Sequence, residues 1–411
     1  MNISNLIQVN DILCDELGLP IANYGNIKEL RIGLRPYTKD VLPKIYTEIK
    51  NNKVISHNYG HGAAGWTLLF GCVKKSINSF EDFIKTKLNN KDSFQCIKEK
   101  KTIIIIGLGA MGLTTALYLI SLGYKNIKLI GYEKDYITSH IAGGSFRLPA
   151  VVNPKSAEDK QILYSYMLDT FLTYKNINEG NHILSHILKD TTKDIIMITD
   201  DENTGAEYFS EIRVTNNNKK IKVKYGDNKS NKYIELFACE TMLIHTDEYL
   251  RKAFKYIKNL SMDSNSLVKV AIKQVKLNSF DDEDVDSSYI FNCSGFGSVE
   301  LNNDKEMYPG CGHGYILKNQ QKENDFNFVL TIKSVPGLEN TDYNGTLYFM
   351  PKEGDKYFLG GTNIVNYYGD DHHLNRKEWI KVIKRARYFF HGIDIKKELP
   401  KIKSSLNKAK F

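Results

Sequence analysis

The 411-residue chain is predicted to combine an α/β unit built on a parallel sheet with an α+β unit of mixed or antiparallel sheet. Three observations predict this. Four consecutive isoleucines, Ile103 to Ile106, break at three glycines and resume as helix formers, the order strand, turn, helix. Strand-like runs at 195–199, 212–215, 221–225 and 233–237 are separated by Asn/Asp/Gly/Lys turns. Apolar residues make up 42% and charged residues 25%, close to globular averages, which excludes a disordered or fibrous chain.

Lys plus Arg exceed Asp plus Glu, for a formal charge of +8. Lys is interleaved with Asn (216–220, 228–232), and there is no Arg-rich stripe with aromatics between, so no nucleic-acid partner is expected. The six cysteines, Cys14, Cys72, Cys96, Cys239, Cys293 and Cys311, are scattered without C-x-x-C, which fits a reducing interior. The first residues lack a basic segment followed by an apolar one, so a cytoplasmic location is expected. Thr102 to Tyr124 is free of charge and long enough to span a bilayer, but its glycine break and Thr/Ser content read as strand, turn and helix, so no membrane partner is expected.

In the first element, Gly107-Leu108-Gly109-Ala110-Met111-Gly112 is G-x-G-x-x-G between a buried strand and a helix over Leu113 to Leu122, closed by Gly123. The first glycine makes the turn, the second lets N–H groups approach a pyrophosphate, and the third lets helix pack on strand. A second strand, Ile127 to Tyr132, ends at Glu133, 21 residues past Gly112, where a carboxylate accepts from ribose hydroxyls. Together these predict a dinucleotide site, and NAD and FAD share the fingerprint.

Residues 53–73 form an extended strand, a glycine-rich loop and a helix start, through His57-Asn58-Tyr59-Gly60-His61-Gly62 and Ala63-Ala64-Gly65-Trp66-Thr67. Such a start presents free N–H groups and a positive dipole to an electron-rich group. His57 and His61 are four apart, but Gly60 and Gly62 argue against a helix that would pair them on a metal, and no metal is expected. Further on, Thr246 or Asp247 is expected to cap a helix over Glu248 to Lys258, and another helix is expected over Glu378 to Phe390.

Several of these segments resemble the D-amino-acid oxidase family. The stretch from His57 to Gly65 is similar to its H-N-Y-G-H-G-x-x-G flavin loop, followed here by Thr67 and by Gly71-Cys72. Gly33-Leu34-Arg35-Pro36 is similar to its G-x-R-P strand, Phe291 to Gly295 to its N-C-T-G turn, and Tyr308-Pro309 through Gly312 to its P-x-x-G segment. Tyr348-Phe349-Met350-Pro351 and Leu359-Gly360-Gly361-Thr362 resemble its Y-I-I-P and L-G-G pair, and Ala142-Gly143-Gly144 the loop after its second strand.

The resemblance implies an FAD-binding Rossmann-like domain with an interleaved substrate domain, and FAD as cofactor. Arg35 would bind the substrate carboxylate through its planar fork, Tyr348 would add a phenolic hydrogen bond, and Ala63 would offer its carbonyl to the amine. Gly65, Trp66 and Thr67 would face the flavin pyrimidine. Gly107, Gly109, Ala110, Met111, Gly112, Glu133, Gly143 and Gly144 would hold the cofactor, and Val275 would meet adenine through its backbone. The family's second tyrosine falls at Asn344, beside Tyr343.

The order of segments differs from the family's, whose glycine fingerprint opens the chain and whose G-x-R-P strand and H-N-Y-G-H-G loop close it. Here the closing segments precede Gly107, which is accounted for by circular permutation. The expected division is an extension (1–26), a substrate-domain strand (27–52), the flavin-facing loop and helix (53–80), a linker (81–101), the dinucleotide-binding unit (102–155), substrate domain and helices (156–264), the rest of the FAD domain (265–310) and the rest of the substrate domain (311–411).

The implied reaction is oxidative deamination of a D-amino acid: hydride passes from Cα to flavin, the imino acid leaves, and oxygen returns the flavin to its oxidised form with hydrogen peroxide as product. The partner is thus a small D-amino acid or related amine, and a homodimer is compatible with the family. Two alternatives stay open: another flavin amine oxidoreductase, of the glycine, sarcosine or N-substituted amine type, and a non-catalytic nucleotide-binding protein.

Overall fold

The computed structural model describes residues 27–87, 94–132, 137–147, 155–201, 219–225, 232–318 and 327–392. In chain order, β1 (Ile27–Thr38), β2 (Lys44–Lys50) and β3 (Lys53–Tyr59) lead into helices α1 (Leu69–Lys87) and α2 (Phe94–Lys100). A βαβ unit follows, made of β4 (Thr102–Ile106), α3 (Ala110–Ser121) and β5 (Asn126–Gly131). Then come α4 (Thr138–Ile141), α5 (Ala157–Glu179), α6 (Ser185–Leu188), β6 (Thr192–Thr199), β7 (Lys219–Tyr225), β8 (Lys232–Ile244) and α7 (Thr246–Met262). The remainder is β9 (Lys269–Gln274), β10 (Tyr289–Asn292), α8 (Ser298–Leu301), β11 (Met307–Lys318), β12 (Phe328–Ile332), β13 (Leu347–Lys352), β14 (Lys356–Gly360), β15 (Ile364–Val365) and α9 (His372–Gly392).

Among the described residues these strands form two sheets. One has the order β2-β3-β10-β4-β5-β9, with five parallel strands and β2 antiparallel at the edge. A parallel sheet covered on both faces needs strands that are apolar on both sides. The isoleucine run meets that need by alternation: Ile103 and Ile105 join the large core under the helices, while Ile104 and Ile106 pack on the other face with Ile55, Ile130, Phe280 and Ile290.

The second sheet has nine strands, in the order β1-β11-β14-β13-β12-β6-β8-β7, with β15 beside β11. All pairs are antiparallel except β12 with β6. Helix α9 covers one face, burying Trp379, Val382, Ile383, Ala386 and Phe389 against Leu330, Leu347 and Phe349. The α/β plus antiparallel expectation therefore holds as a mixed fold of two sheets.

Residues 27–87 are not a separate unit, because β1 hydrogen-bonds to β11 in one sheet and β3 lies between β2 and β10 in the other. The 81–101 stretch is helical at both ends, since α1 continues to Lys87 and α2 begins at Phe94, with Ile84 and Ile97 buried. Strand β8 runs well past Phe237 because it pairs with β7 over its first half and β6 over its second.

Two expectations are corrected. The cap of α7 is His245, with no side-chain cap bond. Thr246 Oγ1 instead donates to the Ala142 carbonyl at 3.4 Å, and Asp247 pairs with His140 at 3.2 Å, so both serve the loop above the helix. The runs around 212–215 and Glu133 lie outside the described residues. No helix among the described residues is long and apolar enough to cross a membrane; the uncharged 102–124 stretch is β4, the glycine turn and the twelve-residue α3.

Candidate active site

The carboxyl ends of β3, β10, β4, β5 and β9 open onto one cavity of about 740 Å³, roofed by the nine-stranded sheet. In open parallel sheets this is where ligands bind, because the strand ends splay and leave a crevice. The cavity is lined by Gly107 to Met111 after β4, Gly131 and Tyr132 after β5, Val275 to Leu277 after β9, Cys293 to Gly297 after β10, and His61 to Ala63 with Gly65 to Thr67 after β3. From the roof come Arg35, Gly312, His313, Tyr348 and Met350, and one side is the 137–147 segment with Gly143, Gly144 and Arg147.

At the glycine turn, each glycine has a separate steric reason. Gly107 has φ of 115°, and a Cβ there would lie 2.3 Å from the Cys293 carbonyl oxygen. Gly112 does not line the cavity; a Cβ on it would meet the Gly107 carbonyl oxygen at 1.9 Å, so it sets how closely α3 packs on its own turn. Gly109 caps α3, and the Ala110 N–H is held by the Ser139 hydroxyl at 3.1 Å. Ser139, in the segment after β5, was missed by the sequence reading. Its signal would have been a hydroxyl residue in the loop facing the fingerprint.

After β3, the N–H groups of Gly65, Trp66 and Thr67 donate to no described residue, and all three residues line the cavity at the start of α1. Their side chains point elsewhere: Trp66 Nε1 donates to the Ser139 carbonyl at 3.1 Å, and Thr67 Oγ1 donates to the Arg147 carbonyl at 2.8 Å. What faces the cavity is therefore backbone, reinforced by the helix dipole. The two histidines of the loop have different partners. His57 lies 3.1 Å from both Glu48 Oε1 and Asn292 Nδ2, whereas His61 Nε2 donates to Asn58 Oδ1 at 3.0 Å. Burial pushes His61 down to about 3 and also lowers His57.

Arg35 leaves β1 and lies across β11 at Gly312, where a Cβ would come within 2.4 Å of its Nη1. Nη1 donates to the Thr362 carbonyl and Asn363 Oδ1, each at 3.1 Å, both neutral acceptors. No carboxylate among the described residues pairs with this guanidinium, so its other donors remain for a ligand. The Thr362 loop is itself held: His313 N donates to Thr362 Oγ1 at 2.7 Å, that hydroxyl lies 3.0 Å from His313 Nδ1, and His313 Nε2 donates to Asn375 Oδ1 at 2.8 Å on α9.

Tyr348, on β13, is flanked by the Arg147 guanidinium, 5.3 Å from the ring centroid. Arg147 is a second site residue that sequence reasoning missed, because its contact is with a strand far along the chain. Gly143 and Gly144 let their loop pass tightly: a Cβ on the first would meet Met350 Sδ at 2.5 Å, and on the second the Ile244 carbonyl oxygen at 2.2 Å, at a φ of 91°. Val275 lines the far end, its N–H donating to the Gly131 carbonyl at 3.1 Å. Of the expected site residues, Glu133 is outside the described set, and Arg35, Tyr348, Ala63 and the rest, Gly112 apart, meet at this cavity.

A curated D-amino-acid oxidase of Dictyostelium discoideum is 24% identical over 255 residues, 60% of this chain. The chain resembles a D-amino-acid oxidase. The match spans 66% of that relative, just under two thirds of its length. No protein-family model matches. Among solved structures, the fructosyl amine:oxygen oxidoreductase amadoriase I of Aspergillus fumigatus is 16% identical with a TM-score of 0.40, covering 64% of this chain and 63% of that one. The fructosamine oxidase amadoriase II of the same organism is 13% identical with a TM-score of 0.39 over the same shares.

Neither residue at the family's second tyrosine position lines the cavity. Tyr343 is covered by Lys384, whose Nζ donates to its hydroxyl at 3.0 Å, and Asn344 binds Ser334 and the Glu339 carbonyl. Both are engaged with helix α9 or their own loop.

Proposed function

We propose that the chain is an FAD-dependent oxidoreductase that takes a hydride from the amine carbon of a D-amino acid. The observation that carries this reading is the conjunction, in one cavity, of three backbone N–H groups at the start of α1 that donate to no described residue and an arginine with no carboxylate partner among the described residues. The similarity to a D-amino-acid oxidase supports it.

The residues present fit such a cofactor. Gly107 and Gly109 bring bare backbone to the cavity wall beside the N-terminus of α3, where a pyrophosphate is stabilised. Gly107, Gly109, Ala110 and Met111 would form that end, with Gly112 behind them packing α3 on the turn, Gly143 and Gly144 along the side, Val275 at the adenine, and Gly65, Trp66 and Thr67 at the electron-rich end of the ring. Glu133 is assigned the ribose on its spacing alone. When bound, FAD supplies the two-electron acceptor for the α-hydrogen.

The chain's own part is positioning. Arg35 fixes the substrate carboxylate with its free donors, Tyr348 donates its phenol to the same group, and the Ala63 carbonyl accepts from the amine. The N–H groups of Gly65 to Thr67 stabilise negative charge as electrons arrive. Among the described residues lining the cavity no histidine is a ready base: burial holds His61 at about 3 and lowers His313, so each is a weak proton acceptor near neutrality. The amine is thus taken up neutral, its proton left in solvent.

We also infer that the family's segments stand here in permuted order. In support, the two stretches that precede the glycine turn fill interior or paired places in both sheets. The test of function is anaerobic: purified yellow protein is titrated with a panel of D-amino acids while the flavin bands are followed. Bleaching by at least one member is expected, and Arg35→Ala should retain flavin while losing bleaching by 100-fold or more. A panel that leaves every band intact overturns the reading.

A further inference from the structure

Two guanidiniums, not one, face this cavity without a carboxylate partner among the described residues. Arg35 spends only Nη1, on neutral acceptors. Arg147 makes its cation–π contact with Tyr348, and its guanidinium donates to no described residue. The acidic side chain lining the cavity, Glu300, is paired with Lys276 at 3.1 Å, at the end beyond β9 and β10. The positive charge at the Tyr348 end is therefore uncompensated by any described residue. A low-dielectric pocket with two such cations favours a ligand that brings two negative charges.

The sheet order fixes how those charges sit. Arg35 starts on β1, crosses β11 over Gly312 and ends at Thr362, just past β14; the next strand is β13, which carries Tyr348 with Arg147 over its ring. Tyr348 pairs with Gly360 across β13 and β14, two residues before Thr362, and neighbouring strands lie ~4.8 Å apart, so the acceptor that holds Arg35 and the tyrosine that carries Arg147 stand about one to two strand spacings apart along this sheet. The carboxyl carbons of a short dicarboxylic amino acid are three or four bonds apart, roughly 4–5 Å. That span, with one guanidinium contact at each end, matches the interval.

The Arg147 guanidinium stands at the Tyr348 end of the cavity, 5.3 Å from that ring, and the Arg147 carbonyl receives the Thr67 hydroxyl.

Resting on the reading above, we propose that the substrate is an acidic D-amino acid, its α-carboxylate on Arg35 and its side-chain carboxylate on Arg147. In the FAD-loaded protein, kcat/KM for D-aspartate or D-glutamate should exceed that for D-alanine and D-methionine at least tenfold. Arg147→Met should reduce that ratio at least tenfold, chiefly through KM, and Arg147→Lys should restore part of it. Binding is read separately, without turnover, from the shift of the flavin bands with non-oxidisable acids: malonate or succinate should bind at least tenfold more tightly than acetate or propionate, and the preference should vanish in Arg147→Met. If neutral D-amino acids bleach the flavin as well as acidic ones, or if Arg147→Met weakens both classes equally, this inference fails while the broader reading stands. If no D-amino acid bleaches it, the broader reading fails and takes this proposal with it; the malonate and acetate comparison then still reports whether Arg147 recognises a second carboxylate.

Discussion

At Arg35 the decisive neighbour is a residue with no side chain. Gly312 is needed because the guanidinium lies where its Cβ would be, 2.4 Å from Nη1. Gly312→Ala should therefore lift the arginine off the strand, raising KM for the amino acid tenfold or more while leaving flavin content unchanged, which absorbance and steady-state kinetics together would report. His61 gives a pH prediction. Its imidazole is buried and neutral in the fold, held down to about 3, whereas in the unfolded chain it takes up a proton below its ordinary value near 6.5. The unfolded state then binds more protons, so stability rises with pH: the contribution is complete above about 6.5 and is lost progressively as pH falls toward 3. Urea unfolding between pH 7 and 4 should show a loss on the order of a few kcal/mol that is smaller in His61→Gln. An identical slope in the variant would reassign the acid sensitivity to other groups.

The β4–α3 turn was legible because each of its signals is local: an apolar strand, three glycines at fixed spacing, then helix formers. The structure adds which glycine does what. Gly112→Ala places a methyl group 1.9 Å from a backbone oxygen that has nowhere to go, an overpacking that costs about 1–3 kcal/mol or more. A lowered melting temperature and loss of flavin on gel filtration are expected, whereas Ala at Gly123, where a Cβ meets nothing within 4 Å but φ is +89°, should cost stability through backbone strain and still hold flavin. Less local features were illegible. The cap of α7 looked like Thr246 or Asp247 from composition, yet both side chains are drawn to the 140–142 segment by tertiary contacts. Arg147 carries no pattern of its own; only the folding of β13 beneath it makes it a site residue. Its functional meaning is a property of two elements brought together, which no window of sequence contains.

For the molecule as a whole, the sequence could say that the segments stood in an unusual order, but not where each would pair. The pairing now identifies a test of permutation. A chain reopened within 88–93, with residue 392 joined through a flexible linker to residue 27, should still fold and take up FAD, measured as flavin per protein after desalting. A colourless, aggregated product would argue that the present order is required. Of the +8 surplus, two arginines with no carboxylate partner among the described residues stand inside a cavity rather than on a surface.

The position of β3 inside the parallel sheet also bears on how this protein is made. His57 meets Asn292 across 235 residues, and Arg35 reaches Thr362 across 327. While a ribosome is extending the chain, β1 emerges long before β11, and β3, with β2 on its other side, long before β10. Such distant pairings close slowly, because loop entropy is lost before contacts reward it. The apolar β3 and α1 must therefore wait in the open through most of synthesis, a stage at which exposed strand edges invite aggregation and holding by chaperones protects yield.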